Sequence, residues 1–270
     1  MKAAVIMSVY KNDRPEFVKE ALNSLYVQTK KADIFVKIDG TVDKEIEKFL
    51  FSQKHEGKIF YIDKRDRNRG LAVSLNELIK EILKKDYEYV FRMDADDVSA
   101  PLRFEKQLDF MEKNSNVDVC GTYIREFGDG IEYEKTVKYP LTHDEMRKFF
   151  KKRVPMAHVS VCFRRSFFEK AGLYPEKEHI TNEDTLMWLE GFKHGCVFAN
   201  IDYVGVNVRV SKSFFNRRKG FKKVWYDFKN RLKVTKELNY GPGGYYYALG
   251  MAIVNLLPSG LKKLAYKFLR

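Results

Sequence analysis

Short apolar runs alternate with amphipathic stretches through the first 120 residues. Residues 3–9 are almost free of polar side chains, as a strand buried on both faces requires. Asp13 then offers a helix cap, Pro15 suits the first turn, and Glu16 lies three positions on. Phe17, Val18, Ala21, Leu22 and Leu25 continue at helical spacing. Residues 34–38 predict a second strand, and Ile46, Phe49 and Leu50 mark a second helix. A third strand is expected at 59–62, and Leu71, Leu75, Leu78, Ile79 and Ile82 line a third helix. Residues 87–93 complete the series as a fourth strand. Such alternation implies right-handed crossovers and an α/β fold, Rossmann-like, with a mostly parallel sheet flanked by helices.

The pattern then loosens. Pro101 opens a helix through Phe104, Leu108 and Met111, while residues 117–124 and 159–163 read as strands. A helix beginning near Glu183 leads to strands at 197–201 and 204–210, and mixed strand directions are expected in this half. No repeat or linker divides the chain, and the one composition break falls near Ser211. The expected organisation is therefore a body over 1–210 and a separate helical region over 211–270.

Composition narrows the class. With 270 residues, 44% hydrophobic and 32% charged, the chain has a sizeable core and is not disordered. Cys120, Cys162 and Cys196 form no CxxC pair, which argues against a disulfide framework and for a reducing compartment. The apolar run at the N-terminus is too short for a signal-peptide core, and no stretch reaches the roughly 18 apolar residues of a membrane span. The chain reads as cytoplasmic.

Charge is the second axis. Residues 205–270 hold 15 Lys or Arg against two acids, Asp227 and Glu237, so this segment carries the whole net charge of +13 and the rest is neutral. A basic tail attracts polyanions: nucleic acid, anionic headgroups or phosphorylated substrates. Residues 245–257 are uncharged, and Pro258 stops them. Beyond it Leu261, Leu264, Ala265 and Phe268 recur at helical spacing opposite Lys262, Lys263, Lys267 and Arg270. That pattern suits a helix lying in a membrane interface, peripheral at the cytoplasmic face. An ordinary helical pair packed on the body is the plainer alternative. A nucleic-acid binder is a third, with Phe214, Phe215, Phe221, Trp225, Tyr226 and Phe228 interleaved among Arg217, Arg218, Lys222 and Lys223. That last reading leaves the acidic motifs of the body unexplained, and no nucleic acid is expected.

In open α/β sheets, ligands bind beyond the carboxyl ends of the strands. The polar residues there are Tyr10-Lys11-Asn12-Asp13, Asp39-Gly40-Thr41, Arg67-Asn68-Arg69-Gly70 and Asp94-Ala95-Asp96-Asp97. Three carboxylates within four positions repel one another unless a cation offsets them. Oxygen ligands suit Mg²⁺ or Mn²⁺, and no EF-hand ladder is present. The competing reading is that these acids cap the next helix, near Ser99 and Pro101. A second acidic site, Asn182-Glu183-Asp184, precedes Leu186, Met187, Leu189 and Phe192. Carboxylates in a first helical turn often only complement the dipole. The same dipole keeps Asp184 ionised, as a general base requires. No GxGxxG, P-loop, HExxH or GxSxG motif occurs, and the five His show no metal spacing. His158, beside an expected strand, reads as a satisfied core histidine.

The order of these motifs resembles glycosyltransferase family 2, inverting GT-A enzymes that use nucleotide-sugar donors. Val5-Ile6-Met7-Ser8-Val9-Tyr10 is similar to the family's opening strand, and Ala21 to Thr29, ending in Gln28-Thr29, to its first helix. Ile38-Asp39-Gly40-Thr41 resembles Asp-Asp-Gly-Ser, Asn68-Arg69-Gly70 the Asn-x-Gly turn, and Met93-Asp94-Ala95-Asp96-Asp97 the DxD run. His158 to Tyr174 resembles the segment before the acceptor site, and Glu183-Asp184 the Glu-Asp motif. The likeness covers about residues 3 to 210, with a donor half over about 1–100 and an acceptor half over about 101–210.

The resemblance implies roles by position. Tyr10 and Asp39 would contact the nucleoside, with Arg69 also on the donor, and Asp94 would take the ribose or diphosphate. Asp96 would bind the Mn²⁺ or Mg²⁺ that bridges the diphosphate, and Asp184 would deprotonate the acceptor hydroxyl. Arg209, near the end of the last strand, is expected to add a second positive group. Ile38 departs from the family's first Asp, and the processive Gln-x-x-Arg-Trp run is absent. The implied enzyme moves one sugar, from a UDP-sugar by default, to a glycan acceptor, lipid-linked, in O-antigen, capsule or related polysaccharide assembly. A sugar nucleotidyltransferase would also want an acidic metal pair. It usually carries a Gly-rich loop after its first strand, whereas residues 10–15 contain no Gly.

Overall fold

A computed structural model of the chain describes residues 2–129, 131, 133–176, 182–211 and 221–256. The first element, β1 (Ala3–Tyr10), lies inside the sheet, third along its strand order. Around it are α1 (Pro15–Tyr26), β2 (Asp33–Asp39), α2 (Lys44–His55), β3 (Tyr61–Arg65), α3 (Leu71–Leu83) and β4 (Tyr89–Met93). The order β3-β2-β1-β4 is parallel throughout, with Tyr10 beside Asp39 and Asp39 beside Arg65. Alternation along β1 explains the layering. Val5, Met7 and Val9 join Val18, Leu22 and Leu25 of α1 in one core, while Ala4 and Ile6 join Leu75 and Ile79 of α3 in the other.

The second half continues the same sheet with mixed directions. It comprises β5 (Val98–Ser99), α4 (Arg103–Lys113), β6 (Val119–Phe127), β7 (Lys135–Val137), α5 (His143–Phe150), β8 (Cys162–Arg164), α6 (Arg165–Ala171), α7 (Glu183–Lys193) and β9 (Phe198–Arg209). β8 runs antiparallel to both β4 and β6, β9 runs parallel to β6, and β5 and β7 pair antiparallel at the margins. α7 is apolar on most of its surface, with Leu186, Met187, Trp188, Leu189 and Phe192 buried. It is therefore a core helix and not a surface one.

Several local expectations are corrected. Asp13 does not cap α1: Arg14 is the N-cap, without a side-chain bond, and the Asp13 carboxylate instead accepts from the Tyr10 amide at 2.8 Å. Residues 158–160 form a 3₁₀ turn, so the strand expected at 159–163 is confined to β8. The two strands expected at 197–201 and 204–210 are one, β9, with a register shift opposite Thr122–Ile124 that absorbs the polar interruption. α4 starts at Arg103, two residues beyond Pro101.

The C-terminal region holds α8 (Phe221–Glu237) and α9 (Pro242–Leu256). α8 packs on α7, burying Val234 and, just past its end, Leu238 with the core around Trp188, and α9 packs on α8, with Gly244 against Thr235 and with Ala248 and Met251 buried. The first helix of the expected packed pair, at 245–257, corresponds to α9, which packs on the body through α8. The opposite face of α9 exposes Tyr245, Tyr246, Leu249 and Ile253. No helix among the described residues is long and apolar enough to cross a membrane. The amphipathic segment expected at 261–270 and the aromatic–basic run at 214–218 lie outside the described residues.

Candidate active site

The order β3-β2-β1-β4 puts four carboxyl ends along one edge, where a doubly wound sheet opens its crevice. At the β2 end, Asp39 is 2% exposed. Its carboxylate accepts from Arg65 Nε at 2.8 Å and from the amides of Arg69 at 2.9 Å and Gly70 at 3.0 Å. Asn68 Nδ2 donates to the Asp39 carbonyl at 3.2 Å. Gly40 has φ +85, and a Cβ there would lie 2.8 Å from the Asn68 nitrogen, so the two turns close on each other only through a glycine. Arg65 is held in turn by Glu77 and Ser74, and Glu77 also pairs with the buried Lys37. The Arg69 side chain is exposed and reaches Glu77 at 3.4 Å. Asp39 is thus the hub that folds the Asn68–Gly70 turn onto the end of β2, which lies beside Tyr10 of β1.

At the β4 end, Asp94, Asp96 and Asp97 bring one ligand oxygen each to within 4.8 Å of one another. The capping alternative fails: the N-cap of α4 is Leu102, with no side-chain bond to it. Asp97 is buried and accepts from the Arg209 amide at 2.7 Å. Burial, and then the charges of Asp94 and Asp96, push its carboxyl well above the usual range. An oxygen-only set whose members repel one another is what a hard divalent cation fits and relieves. Asp96, Asp94 and Asp97 are the residues that could hold it.

Arg209 reaches this cluster as expected, but in a specific way. Its Nε donates to the Asp96 carbonyl at 3.0 Å, its guanidinium lies between the Phe17 and Phe127 rings at 4.0 and 4.5 Å, and it pairs with Glu20. It therefore clamps the acidic loop from behind.

Asp184 lies in the first turn of α7, its carboxylate accepting from the Thr185 amide at 2.7 Å. Asn182 donates to Asp227 of α8, tying this turn to the C-terminal hairpin. Glu183 is held above the ordinary carboxylate range by burial and by Asp184, and it feels Arg92 and Asp94. The two acidic motifs, far apart in sequence, therefore share one electrostatic environment. His158 meets the Tyr174 hydroxyl at 2.7 Å and packs on Trp188. Burial, then the Arg92 charge, keeps it well below its ordinary value, so it is neutral and structural, as expected.

Arg92 is the residue that sequence reasoning missed. It is 3% exposed and forks both oxygens of Asp94 at 2.5 Å. A signal was available: a cation inside the otherwise apolar run Tyr89–Met93 must be paired.

The description "Glycosyl transferase family 2" belongs to the family model that matches residues 4–172, ending before Glu183-Asp184. An uncharacterized glycosyltransferase of Haemophilus influenzae is 34% identical over 100% of both chains. The amylovoran biosynthesis glycosyltransferase AmsE of Erwinia amylovora is 29% identical over 98% of this chain and 97% of its own. The Escherichia coli UDP-Gal:alpha-D-GlcNAc-diphosphoundecaprenol beta-1,3-galactosyltransferase is 31% identical over 82% of this chain and 78% of its own. Among solved structures, S. aureus TarS 1-349 in complex with UDP-GlcNAc superposes with a TM-score of 0.68 at 15% identity, over 93% of this chain and 70% of that one. Another TarS structure, with a TM-score of 0.62 at 14% identity over 96% of this chain, is spanned over 50% of its length. These likenesses establish the fold.

Proposed function

The chain belongs to glycosyl transferase family 2, and from that premise we propose that it moves one sugar from a UDP-sugar to a glycan carried on a lipid diphosphate, in the assembly of a surface polysaccharide such as O-antigen or capsule. The observation that carries this reading is the Asp94–Asp97 cluster at the carboxyl end of β4, on the same sheet edge as the turn closed by Asp39, with Glu183 within electrostatic reach of Asp94. The donor class draws support from the galactosyltransferase relative, whose name specifies UDP-Gal and a diphosphoundecaprenol acceptor. The polysaccharide context draws support from the amylovoran relative.

In this reading Tyr10 and the remaining acceptor capacity of Asp39 meet the nucleoside, with Arg69 at the rim. Asp94 accepts from donor hydroxyls, and Asp96, with Asp97 beneath it, would hold Mn²⁺ or Mg²⁺. A bound divalent cation would supply Lewis-acid stabilisation of charge on the leaving diphosphate. Arg209 adds positive charge from behind the cluster. Asp184 takes the proton of the acceptor hydroxyl as its oxygen attacks the anomeric carbon from the face opposite the leaving nucleotide.

The body over 1–210 would thus carry the chemistry, its first half the donor and its second the acceptor, and residues 211–270 would bring it to the membrane. The apolar ridge of α9 and the net charge of +13 in the C-terminal quarter support docking on the inner, anionic face of the cytoplasmic membrane, where such an acceptor sits.

The test is release of nucleotide from a panel of UDP-, GDP- and dTDP-sugars with Mn²⁺, by wild type, Asp96→Ala and Asp184→Asn. One donor should be slowly hydrolysed, and both EDTA and Asp96→Ala should abolish that reaction. With a lipid-diphosphate sugar as acceptor, Asp184→Asn should cut transfer by about 10³-fold with nucleotide binding retained. Wild-type protein that bound neither nucleotide nor Mn²⁺ would overturn the reading.

A further inference from the structure

The three clustered aspartates are alike in sequence but not in partners. Asp97 is buried against the Arg209 amide, and Asp96 has its carbonyl held by the Arg209 side chain. Asp94 is gripped through its carboxylate by a buried cation, with Arg92 Nη1 and Nη2 each 2.5 Å from an oxygen.

Arg92 is itself fixed from both sides. Its amide donates to the Val161 carbonyl at 3.1 Å, and its carbonyl accepts from Arg103 Nη2 at 2.9 Å. Arg103 is fully buried and also donates to the Val159 and Val161 carbonyls at 3.0 and 3.3 Å. The end of β4 is thereby locked to the 3₁₀ turn and to the start of β8. Arg92 Nε, by contrast, is buried with no acceptor. A buried guanidinium with an unmet donor carries a cost, and the contact its side chain makes against that cost is the two-pronged bond to Asp94.

We propose that Arg92 is a positioning residue that reserves Asp94 for the donor and keeps it out of the cation's ligand set. The inference rests on the cation and donor roles proposed above. A two-pronged guanidinium bond neutralises the carboxylate and occupies a lone pair on each oxygen. The lone pairs left can accept from a neutral hydroxyl, whereas a divalent cation seeks carboxylates whose charge is unspent. The fork also sets the plane of the Asp94 carboxylate, so the hydroxyl it accepts is held in one direction.

The test measures cation binding separately from turnover. Mn²⁺ is titrated calorimetrically into wild type, Arg92→Met, Arg92→Lys and the double variant Arg92→Met/Asp94→Asn, and donor hydrolysis is measured in parallel. Releasing Asp94 should tighten Mn²⁺ binding by about tenfold in Arg92→Met, because a charged ligand has been added. The same variant should lose at least about tenfold in kcat/KM for the donor. Arg92→Lys, a charge without a fork, should fall between, and removing Asp94 as well should return Mn²⁺ affinity to the wild-type value. A purely structural arginine would not tighten a cation site. Folded Arg92→Met that binds Mn²⁺ no more tightly than wild type overturns the inference. If Arg92→Met does not fold, Arg92→Lys decides on the same criterion. Wild type that binds no Mn²⁺ overturns instead the cation reading beneath it.

Discussion

The donor edge and the C-terminal hairpin are built by opposite means. At the donor edge the side chains that matter are buried or half-buried and bonded to backbone: Asp39 to two amides, Asp97 to one, Arg103 to three carbonyls. On the hairpin the informative side chains are exposed, with Tyr246 76% accessible and Leu249 and Ile253 more than half so. The first region holds a geometry; the second presents a surface. Positioning a small charged ligand needs groups that cannot move, because their reorganisation would cost what binding gains. Docking on a fluid partner needs only area and charge.

The sharpest way to break this contrast is to remove the hub of the donor edge. Asp39→Ala leaves Arg65 Nε and the Arg69 and Gly70 amides without their acceptor. Urea unfolding should show a loss of about 3 kcal/mol, the scale expected when one partner of a buried ion pair is deleted. Donor KM should rise with it. A variant as stable as wild type would mean that the turn is held by something other than Asp39.

A smaller effect is expected on the hairpin, and of a different kind. Replacing Tyr246, Leu249 and Ile253 together by Ser removes exposed apolar area. The unfolding free energy should change by no more than about 0.5 kcal/mol. Partition onto anionic vesicles, measured by sedimentation, should fall by about tenfold or more. Unchanged partition would move membrane docking elsewhere in the chain, and a large stability loss would mean the ridge is core.

The same contrast governs what was legible in the sequence. The strands β1, β2 and β4 could be read because each is an apolar run with at most one internal charge, Lys37 in β2 and Arg92 in β4, whereas β3, expected at 59–62, runs Tyr61–Arg65 with three charged residues of five; the candidate edge followed from topology. Tyr10, Asp39, Asp94 and Asp96 were assigned to that edge in this way. The marginal pieces escaped: β5 has two residues and β7 three, too short for any period to register. α5 was missed although Thr142 and Glu145 form a capping box, a signature the sequence does carry. Arg92 and Arg103 were passed over because charged residues are assumed to be solvated, and Arg103, completely buried, is held down to about 9 by that burial. Arg209 was located correctly by its strand, but its clamp on Asp96 depends on Phe17, Glu20 and Phe127, which no local pattern brings together.

Where the two regions meet, His158 offers the finest discrimination. Its ring lies against Tyr174 and Trp188, between the Arg92 side of the donor edge and the core under α8. Burial and the Arg92 charge hold its pKa well below the ordinary value, so the folded chain refuses a proton that the unfolded chain accepts below about pH 6.5. The unfolded state then binds more protons, and stability falls as pH falls. The contribution is fully present above pH 6.5 and is lost progressively below it, with a slope approaching about 1.4 kcal/mol per pH unit. His158→Gln cannot titrate, so the wild type should lose about 1.4 kcal/mol relative to this variant between about pH 8 and pH 5.5, measured by urea unfolding without metal. Parallel pH profiles for the two proteins would mean that the His158 ring takes up its proton in the folded state. The junction between the donor edge and the hairpin core would then be open to water, and the rigidity argued for the donor edge would stop short of the acceptor side.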